Sequence, residues 1–489
     1  MSRSFVPSLR RLSSLLIGLS AMLLLSSPAA AMAPLASMAG GEHWDPPIYA
    51  AIPFVLMLLC IAVIPLVNHH WWENDKHRLI ISLLLGVPTL VFVYFDSHGW
   101  GHMLHEGQEY VSFISLLGSL FLISGGIVIT GNLKGTPLVN TSFLAVGGLL
   151  ASFIGTTGAA MVLIRAVLRT NSERHHKLHT AIFFIFIVCN CGGCLTPLGD
   201  PPLFLGYLRG VPFTWTFGLW PGWLLVCGAL LLVYFVIDSI QYKRETPQDL
   251  KLDAEHDRPI VVRGAHNFLF LGGVVFSVAA SDLFSFPSRE GFMLLMGLLA
   301  WFTTRKQNRI DNGFNFGPII EVAVVFLGIF STMIPALALL NQHGAEFGLT
   351  MPMEFFWVTG GLSSFLDNAP TYVAFIEMAD GISQWPEHLT HHALAFGPGH
   401  TALEGEFAEL VAKYPGANQY VVPTEIMRAI SYGAVFLGAM TYIGNGPNFM
   451  VRAIVEESGI KMPSFMGYMG WSLLFLTPVF FLVSLFLLT

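Results

Sequence analysis

Charge is scarce in this sequence: Asp, Glu, Lys and Arg together make up 11% of its 489 residues. So few charges cannot cover a water-facing surface. With 54% hydrophobic residues and a mean hydropathy of +0.64, the chain is expected to be an all-α polytopic membrane protein. Cysteine is scarce too, and Cys60, Cys189, Cys191, Cys194 and Cys227 all lie in apolar runs, which excludes a loop-borne disulfide framework. No basic cluster marks a nucleic-acid partner, and the net charge of −7 says little, because placement of charge matters more than its sum in a membrane. Hydrolase motifs are missing as well. The nearest, "HMLHEGQE" at 102–109, lacks the His-Glu-x-x-His spacing and is expected in an external loop, so no catalytic residues and no cofactor are expected.

What is present is a series of apolar segments. The N-terminus carries Arg3, Arg10 and Arg11, an apolar run and an Ala-x-Ala site at 29–31, the three-part pattern of a signal peptide over 1–31. Segments follow at 47–67, 79–95, 110–130, 139–168, 178–208 and 214–240, then a charged linker at 242–265. The series resumes at 266–284, 290–303, 318–340, 352–379, 424–454 and 464–488. Two sets of six around a linker suggest a duplication, with a first repeat over 47–241 and a second over 266–488. The residues agree: "ASFIGTTGAAMVLIRAV" from Ala151 aligns without a gap on "SSFLDNAPTYVAFIEMA" from Ser363, and "NCGGCLTPLGDPP" corresponds to "AMTYIGNGPNFMV".

The fourth segment of each set, 139–168 and 352–379, is too long for one crossing and is interrupted at its centre by "GTTG" or "DNAP". Two short arms cannot each span about 30 Å of hydrocarbon, so each is expected to be a re-entrant hairpin. Five crossings remain in each half, and an odd number inverts the second half relative to the first. Positive charge follows that scheme. With the N-terminus outside, Lys76, Arg78, Lys134, Arg165, Arg169, Arg174, Lys177, the linker, Arg305, Lys306, Arg309, Arg452 and Lys461 fall inside, while Arg209, Arg289 and Lys413 fall outside. The acidic, histidine-bearing stretch 380–423 also falls outside, and the hairpins enter from opposite faces. A bacterial-type inner membrane is the expected location.

The fifth segments, 178–208 and 424–454, are broken helices. Gly192, Gly193, Gly199, Pro201 and Pro202 interrupt the first, Gly444, Gly446 and Pro447 the second, and Pro370 opens the second hairpin's return arm. Breaking a helix at the midplane frees carbonyls and N–H groups to act as ion ligands. Beside the breaks and tips stand Asp200, Asp367, Asn368, Asn190, Thr196, Thr156, Thr157, Asn445 and Asn448, the candidate ion- or substrate-binding residues. Asp200 and Asp367 also suit helix N-caps, but a carboxylate at bilayer depth costs about 2.5 to 3.5 kcal/mol and so points to function. Glu321 and Glu377 lie at segment ends, where an acid is cheaper, and Arg428 is either a counter-ion or snorkels outward.

Through "GGCLTPLGDPP" and "SSFLDNAPT" the chain resembles the ion transporter superfamily, which contains NhaD-type sodium/proton antiporters, ArsB-like arsenite permeases, the melanosomal pink-eyed protein, and citrate and dicarboxylate carriers. The resemblance covers 47–488. It implies a transport unit moving on a scaffold, a homodimer, and substrate and cation held between hairpin tips and broken helices. Two departures stand out: the dicarboxylate branch has Ser-Asn-Thr at its tips where this chain has "GTT" and "DNAP", and Pro201 and Pro202 follow Gly-Asp where antiporters carry hydroxyl residues.

The expected function is Na⁺/H⁺ antiport, with the transported Na⁺ held at Asp200 and Asp367. A partly desolvated carboxylate can hold either cation or proton, and hard oxygen ligands suit Na⁺. Membrane lipid and the inorganic cation are then the partners, with no nucleic acid. The rivals are cation-coupled citrate or dicarboxylate symport and arsenite efflux, the latter drawing on Cys189, Cys191 and Cys194. External histidines such as His388, His391, His392 and His400 are candidates for pH sensing.

Overall fold

The computed structural model describes residues 44–96, 99–280, 283–397, 403–413 and 420–488. The expected signal peptide and His400 lie outside them.

The first half runs α1 (Ile52–Val67), α2 (Asp75–Phe95), α3 (Gly99–Ser124), β1 (Val128–Asn132), the paired arms α4 (Pro137–Ile154) and α5 (Thr156–Thr170), α6 (Leu178–Ile187), a 3₁₀ turn at Cys191–Leu195, α7 (Pro201–Leu208) and α8 (Trp220–Tyr242). The linker forms α9 (Pro247–Glu255) and β2 (Arg258–Arg263). The second half runs α10 (Asn267–Ala279), α11 (Ser288–Thr303), α12 (Gly317–His343), arms α13 (Pro352–Phe365) and α14 (Asn368–Asp380), strands β3 (Ala393–Phe396), β4 (Leu403–Gly405) and β5 (Tyr420–Pro423), α15 (Thr424–Leu437), α16 (Gly446–Glu457) and α17 (Phe465–Leu487). Among the described residues eight helices are long and apolar enough to cross a membrane. The all-α polytopic class holds.

Local chemistry sets the helix starts. Asn74, Thr136 and Ser464 accept backbone N–H groups of the turns they open, and Pro137, Pro201 and Pro352 sit in first turns, where a missing N–H loses nothing. At the first hairpin tip Gly155 takes φ +78°, a conformation that side chains resist, and the chain reverses there. At the second tip Asp367 caps α14 through Ala369 N–H at 3.0 Å.

Burial separates centre from rim. Of the apolar window at Leu178–Leu195, 94% is buried, against 28% at Ile48–Val67, Asp75–Phe95 and Phe213–Tyr242. The broken helix is therefore central, and α1, α2 and α8 present apolar faces outward, as lipid-facing helices do. Small residues let α2 and α12 cross closely: a Cβ on Gly86 would meet Ser331 Cβ at 2.9 Å, and one on Gly328 would meet Ser82 Oγ at 2.7 Å.

Several expectations need correction. Segment 110–130 is not one helix: α3 starts at Gly99, so the "HMLHEGQE" loop is helical, and residues 128–132 form β1, which pairs antiparallel with β2 of the linker. The polar face of α3 is held in the interior by an arginine described below, which hydropathy alone misses. The stretch 380–423 carries an antiparallel sheet ordered β4-β3-β5, built on the apolar "ALAF" and "YVVP". Hairpin arm α4 has 18 residues, about 27 Å at 1.5 Å per residue, longer than the short arm expected.

Candidate functional site

Both breaks are closed by glycine against glycine. A Cβ on Gly199 would stand 2.1 Å from Gly193 O, and one on Gly444 would stand 2.6 Å from Gly438 O. Hydroxyls repeat the match: Thr196 Oγ1 donates to Ser152 O and Thr441 Oγ1 to Ser364 O, while Ser152 Oγ donates to Gly192 O at 2.5 Å and Ser364 Oγ to Leu437 O at 3.1 Å. The structural register therefore pairs Thr196 with Thr441, Gly199 with Gly444 and Asp200 with Asn445. Each hairpin is thus bound to the break of its own half.

Four helices begin at the centre: α5 at Thr156, α7 after Asp200, α14 at Asn368 and α16 after Asn445. Their starts meet on one carboxylate. Asp200 Oδ1 accepts from Thr156 Oγ1 at 3.0 Å and Asn445 Nδ2 at 2.8 Å, and Oδ2 accepts from Asn368 Nδ2 at 2.6 Å. Asp200 is 1% exposed, and among the described residues no Lys, Arg or His hydrogen-bonds or ion-pairs with it. Uncharged donors and the positive ends of helix dipoles hold its charge.

Asp200 occupies the N-cap position of α7, yet its side chain makes no capping bond; Asn445 repeats this at α16. Both side chains are turned into the centre. Asn445 Nδ2 also donates to Cys189 O at 3.0 Å, and Asn190 Nδ2 donates to Asn448 Oδ1 at 2.8 Å and Ile185 O at 2.8 Å. Asn448 Nδ2 in turn donates to Gly438 O at 3.1 Å and Thr441 O at 3.0 Å. Asn190 Oδ1 is buried with no hydrogen-bond partner, and a Cβ on Gly438 would lie 3.4 Å from it.

Of the sequence-derived candidates, Asp200, Thr156, Asn368 and Asn445 share one cluster, Asn190 and Asn448 form a second layer behind it, and Thr196 ties the break to the hairpin. Asp367 is half-buried, with its Oδ1 directed to its own helix rather than to Asp200, and Thr157 makes no hydrogen bond among the described residues. Pro370 lies buried in the first turn of α14, as do Pro202 and Pro447 in those of α7 and α16, while Pro201 is half-buried at the start of α7. Gly446 is exposed, and no atom lies within 4 Å of the Cβ it would bear. Arg428 is exposed and makes no ion pair among the described residues, so it is not a counter-ion here. Glu321 pairs with Arg78 at 3.3 Å. Cys189, Cys191, Cys194 and Cys227 are buried without a disulfide, and among the described residues the sulfurs do not converge as a three-ligand group.

Sequence reasoning missed a second buried cluster around Arg209, which is 1% exposed. Its guanidinium donates to Glu106 at 2.9 Å, Glu109 at 3.2 Å, Glu377 and Tyr420 Oη at 2.7 Å. Tyr420 opens β5 and stacks on Phe396 of β3, with centroids 5.1 Å apart, so the sheet is joined to this cluster. Helical spacing of Glu106 and Glu109 was the available signal; the loop assignment hid it. A third cluster joins Arg174 to Asp238 at 2.7 Å, with His179 2.8 Å from the same oxygen and Asn140 Nδ2 donating to Asp238 at 3.1 Å. Backbone N–H bonds from His175 and His176, with Arg174 nearby, hold the Glu245 carboxyl below its ordinary range.

No curated protein matches the sequence. A family model described as "Putative citrate transport" matches residues 45–488, the whole helical region from just before α1 to the end of α17. The chain belongs to that transporter family.

Proposed function

We propose that the protein is a secondary transporter that exchanges a monovalent cation, Na⁺ foremost, for protons at Asp200, in a framework of two inverted halves with the charged linker on the cytoplasmic side. The observation that carries this reading is the environment of Asp200: a deeply buried carboxylate held, among the described residues, only by uncharged donors from both hairpins and the opposite break. As an ion it accepts three hydrogen bonds, and as an acid it would lose part of that set. A cation can replace a donor without remodelling the backbone, because the carboxamide of Asn368, whose Nδ2 bonds Asp200 and no other group among the described residues, can turn over to present Oδ1, while Asn445 stays oriented by Cys189 O. Asn190 Oδ1, buried without a donor, is a further oxygen suited to a hard cation. Asp367, at the second tip, is the second titrating group in this reading, and a homodimer is the expected assembly.

A second reading, cation-coupled citrate transport, has its own support: four helix N-termini meet at the site and favour negative charge, and the family description names citrate. Asp200 and Asp367 repel a tricarboxylate unless a co-bound cation neutralises them, and no cationic side chain bonds Asp200 among the described residues. Antiport therefore fits better. Proton movement in inverted vesicles, followed with a ΔpH-sensitive dye while Na⁺, citrate or arsenite is added in turn, decides between them. Na⁺-dependent proton release that disappears in Asp200→Asn supports antiport; citrate accumulation with no response to Na⁺ alone overturns it.

A further inference from the structure

His105, Glu106 and Glu109 lie on one turn of α3, far along the chain from the Asp200 cluster. One ligand atom from each lies within 4.8 Å of the other two. His105 and Glu109 are four residues apart and so share a helix face, with Nε2 3.3 Å from Glu109 Oε1. Both carboxylates are shared: Glu106 Oε1 and Glu109 Oε2 accept from Arg209 and Glu109 Oε1 faces the His105 imidazole, while Glu106 Oε2 is buried with no hydrogen-bond partner among the described residues. Glu106 is 6% exposed and Glu109 3%. An orphaned oxygen of the buried Glu106 beside a carboxylate–imidazole pair is a donor set that a metal ion could complete.

Charge makes the same point independently. Glu106, Glu109 and Glu377 all bond the single guanidinium of Arg209 and His105 faces Glu109, so three carboxyl groups share one guanidinium and one imidazole and carboxyl groups are in excess. Asp380 next to it is held by Val421 N–H at 2.8 Å and Asn341 Nδ2 at 2.9 Å and brings no cation. Burying uncompensated charge is costly, and one dication removes the excess. A neutral imidazole with two carboxylates suits a borderline transition metal rather than Mg²⁺ or Ca²⁺. N and O ligands of a tetrahedral Zn²⁺ lie about 3.4 Å apart, so side-chain rotation must draw the three groups together to close the set. Access exists, because the His105 side chain is 34% exposed.

We propose that His105, Glu106 and Glu109 form a divalent transition-metal site of the zinc type, separate from the Asp200 cluster and at the end of the molecule that carries β3–β5. The guanidinium of Arg209 stays on the outer oxygens and the metal takes the inner ones. A filled site ties α3 to Arg209 at the end of α7, and through Arg209 to α14 and β5.

The test uses the full chain, free of any polyhistidine tag, in detergent. Titration with ZnCl₂ by calorimetry is expected to give one site per chain, and CoCl₂ to give visible d–d absorption that Mg²⁺ in excess does not displace. His105→Ala removes a partly exposed ligand without opening the core and is expected to weaken binding about 10-fold or more. Glu109→Gln should do the same, with a thermal melt recording whether it folds. Asp200→Asn should bind as the wild type does. Absence of saturable Zn²⁺ binding, as expected if the two carboxylates hold only a proton, overturns the proposal. So does an affinity unchanged in His105→Ala, or one lost in Asp200→Asn.

Discussion

At the first break a carboxylate, Asp200, stands where the second break carries the carboxamide of Asn445, although the backbone around the two is set by the same contacts. Gly199 closes on Gly193 as Gly444 closes on Gly438, and Thr196 holds Ser152 as Thr441 holds Ser364. The hairpin tips differ in the same way, Thr156 donating a hydroxyl and Asn368 an amide to the one acid between them. Backbone architecture is thus repeated, while titratable charge is not. A node in which one acid takes three neutral donors, with Asp367 bonded to its own helix, can change protonation state without breaking an ion pair, which suits a group that must exchange its ligand.

Replacing the acid should have the largest effect. Hydrogen bonds to a charged group are worth about 1.5–3 kcal/mol each, so Asp200→Asn, which exchanges three such acceptor bonds for weaker ones, should lower Na⁺-dependent proton movement about 100-fold or more while the protein still elutes as folded. Asp200→Asn combined with Asn445→Asp moves the acid to the other break; recovery to within about tenfold of wild type would show that the halves are interchangeable, with one bond's worth of loss as the scale. Asp367→Asn should cost less, about tenfold in the same assay, because Asn caps a helix as well as Asp does and only one bond is concerned.

Smaller effects test the shared frame. Gly199→Ala drives a methyl to 2.1 Å from Gly193 O and should destabilise by about 1–3 kcal/mol or more in a detergent thermal melt. Gly444→Ala, with its nearest atom at 2.6 Å, should fall at the lower end of that range. Gly446→Ala has open space and should stay within about 0.5 kcal/mol of wild type. If Gly446→Ala were as damaging as Gly199→Ala, close glycine contact would not be what holds the breaks.

Legibility in the sequence followed the strength of the local signal. The hairpins and breaks were readable because Gly155, Pro201, Pro202 and Gly444 interrupt apolar runs, and a membrane leaves few ways to interrupt a helix. Asp200, Asn368, Thr156 and Asn445 were readable as candidates because polar residues at that depth are costly. What the sequence could not supply was direction: Asp367 and Asp200 have the same N-cap grammar, yet one side chain caps its helix and the other does not. The Arg209 cluster was hidden for a different reason. Its carboxylates come from α3 and α14, and hydropathy reads a polar turn such as "HMLHEGQE" as solvent-exposed unless a distant arginine is known to meet it.

The glycine-on-glycine closure of the two breaks has a consequence for redesign. Since the frame is held by backbone contact, with no bulky side chain to adjust, it behaves as a fixed mount into which different oxygen donors can be fitted. Among the described residues positions 156, 368 and 445 supply every side-chain donor to Asp200; Asn445 stands clear of the closing glycines, Asn368 Nδ2 makes an ordinary contact of 3.6 Å with the Cβ that Gly438 would bear, and Thr156 Cγ2 lies 2.8 Å from the one that Gly193 would bear. A library varied at 368 and 445, with 156 confined to Thr and Ser, searches cargo preference with the scaffold held constant.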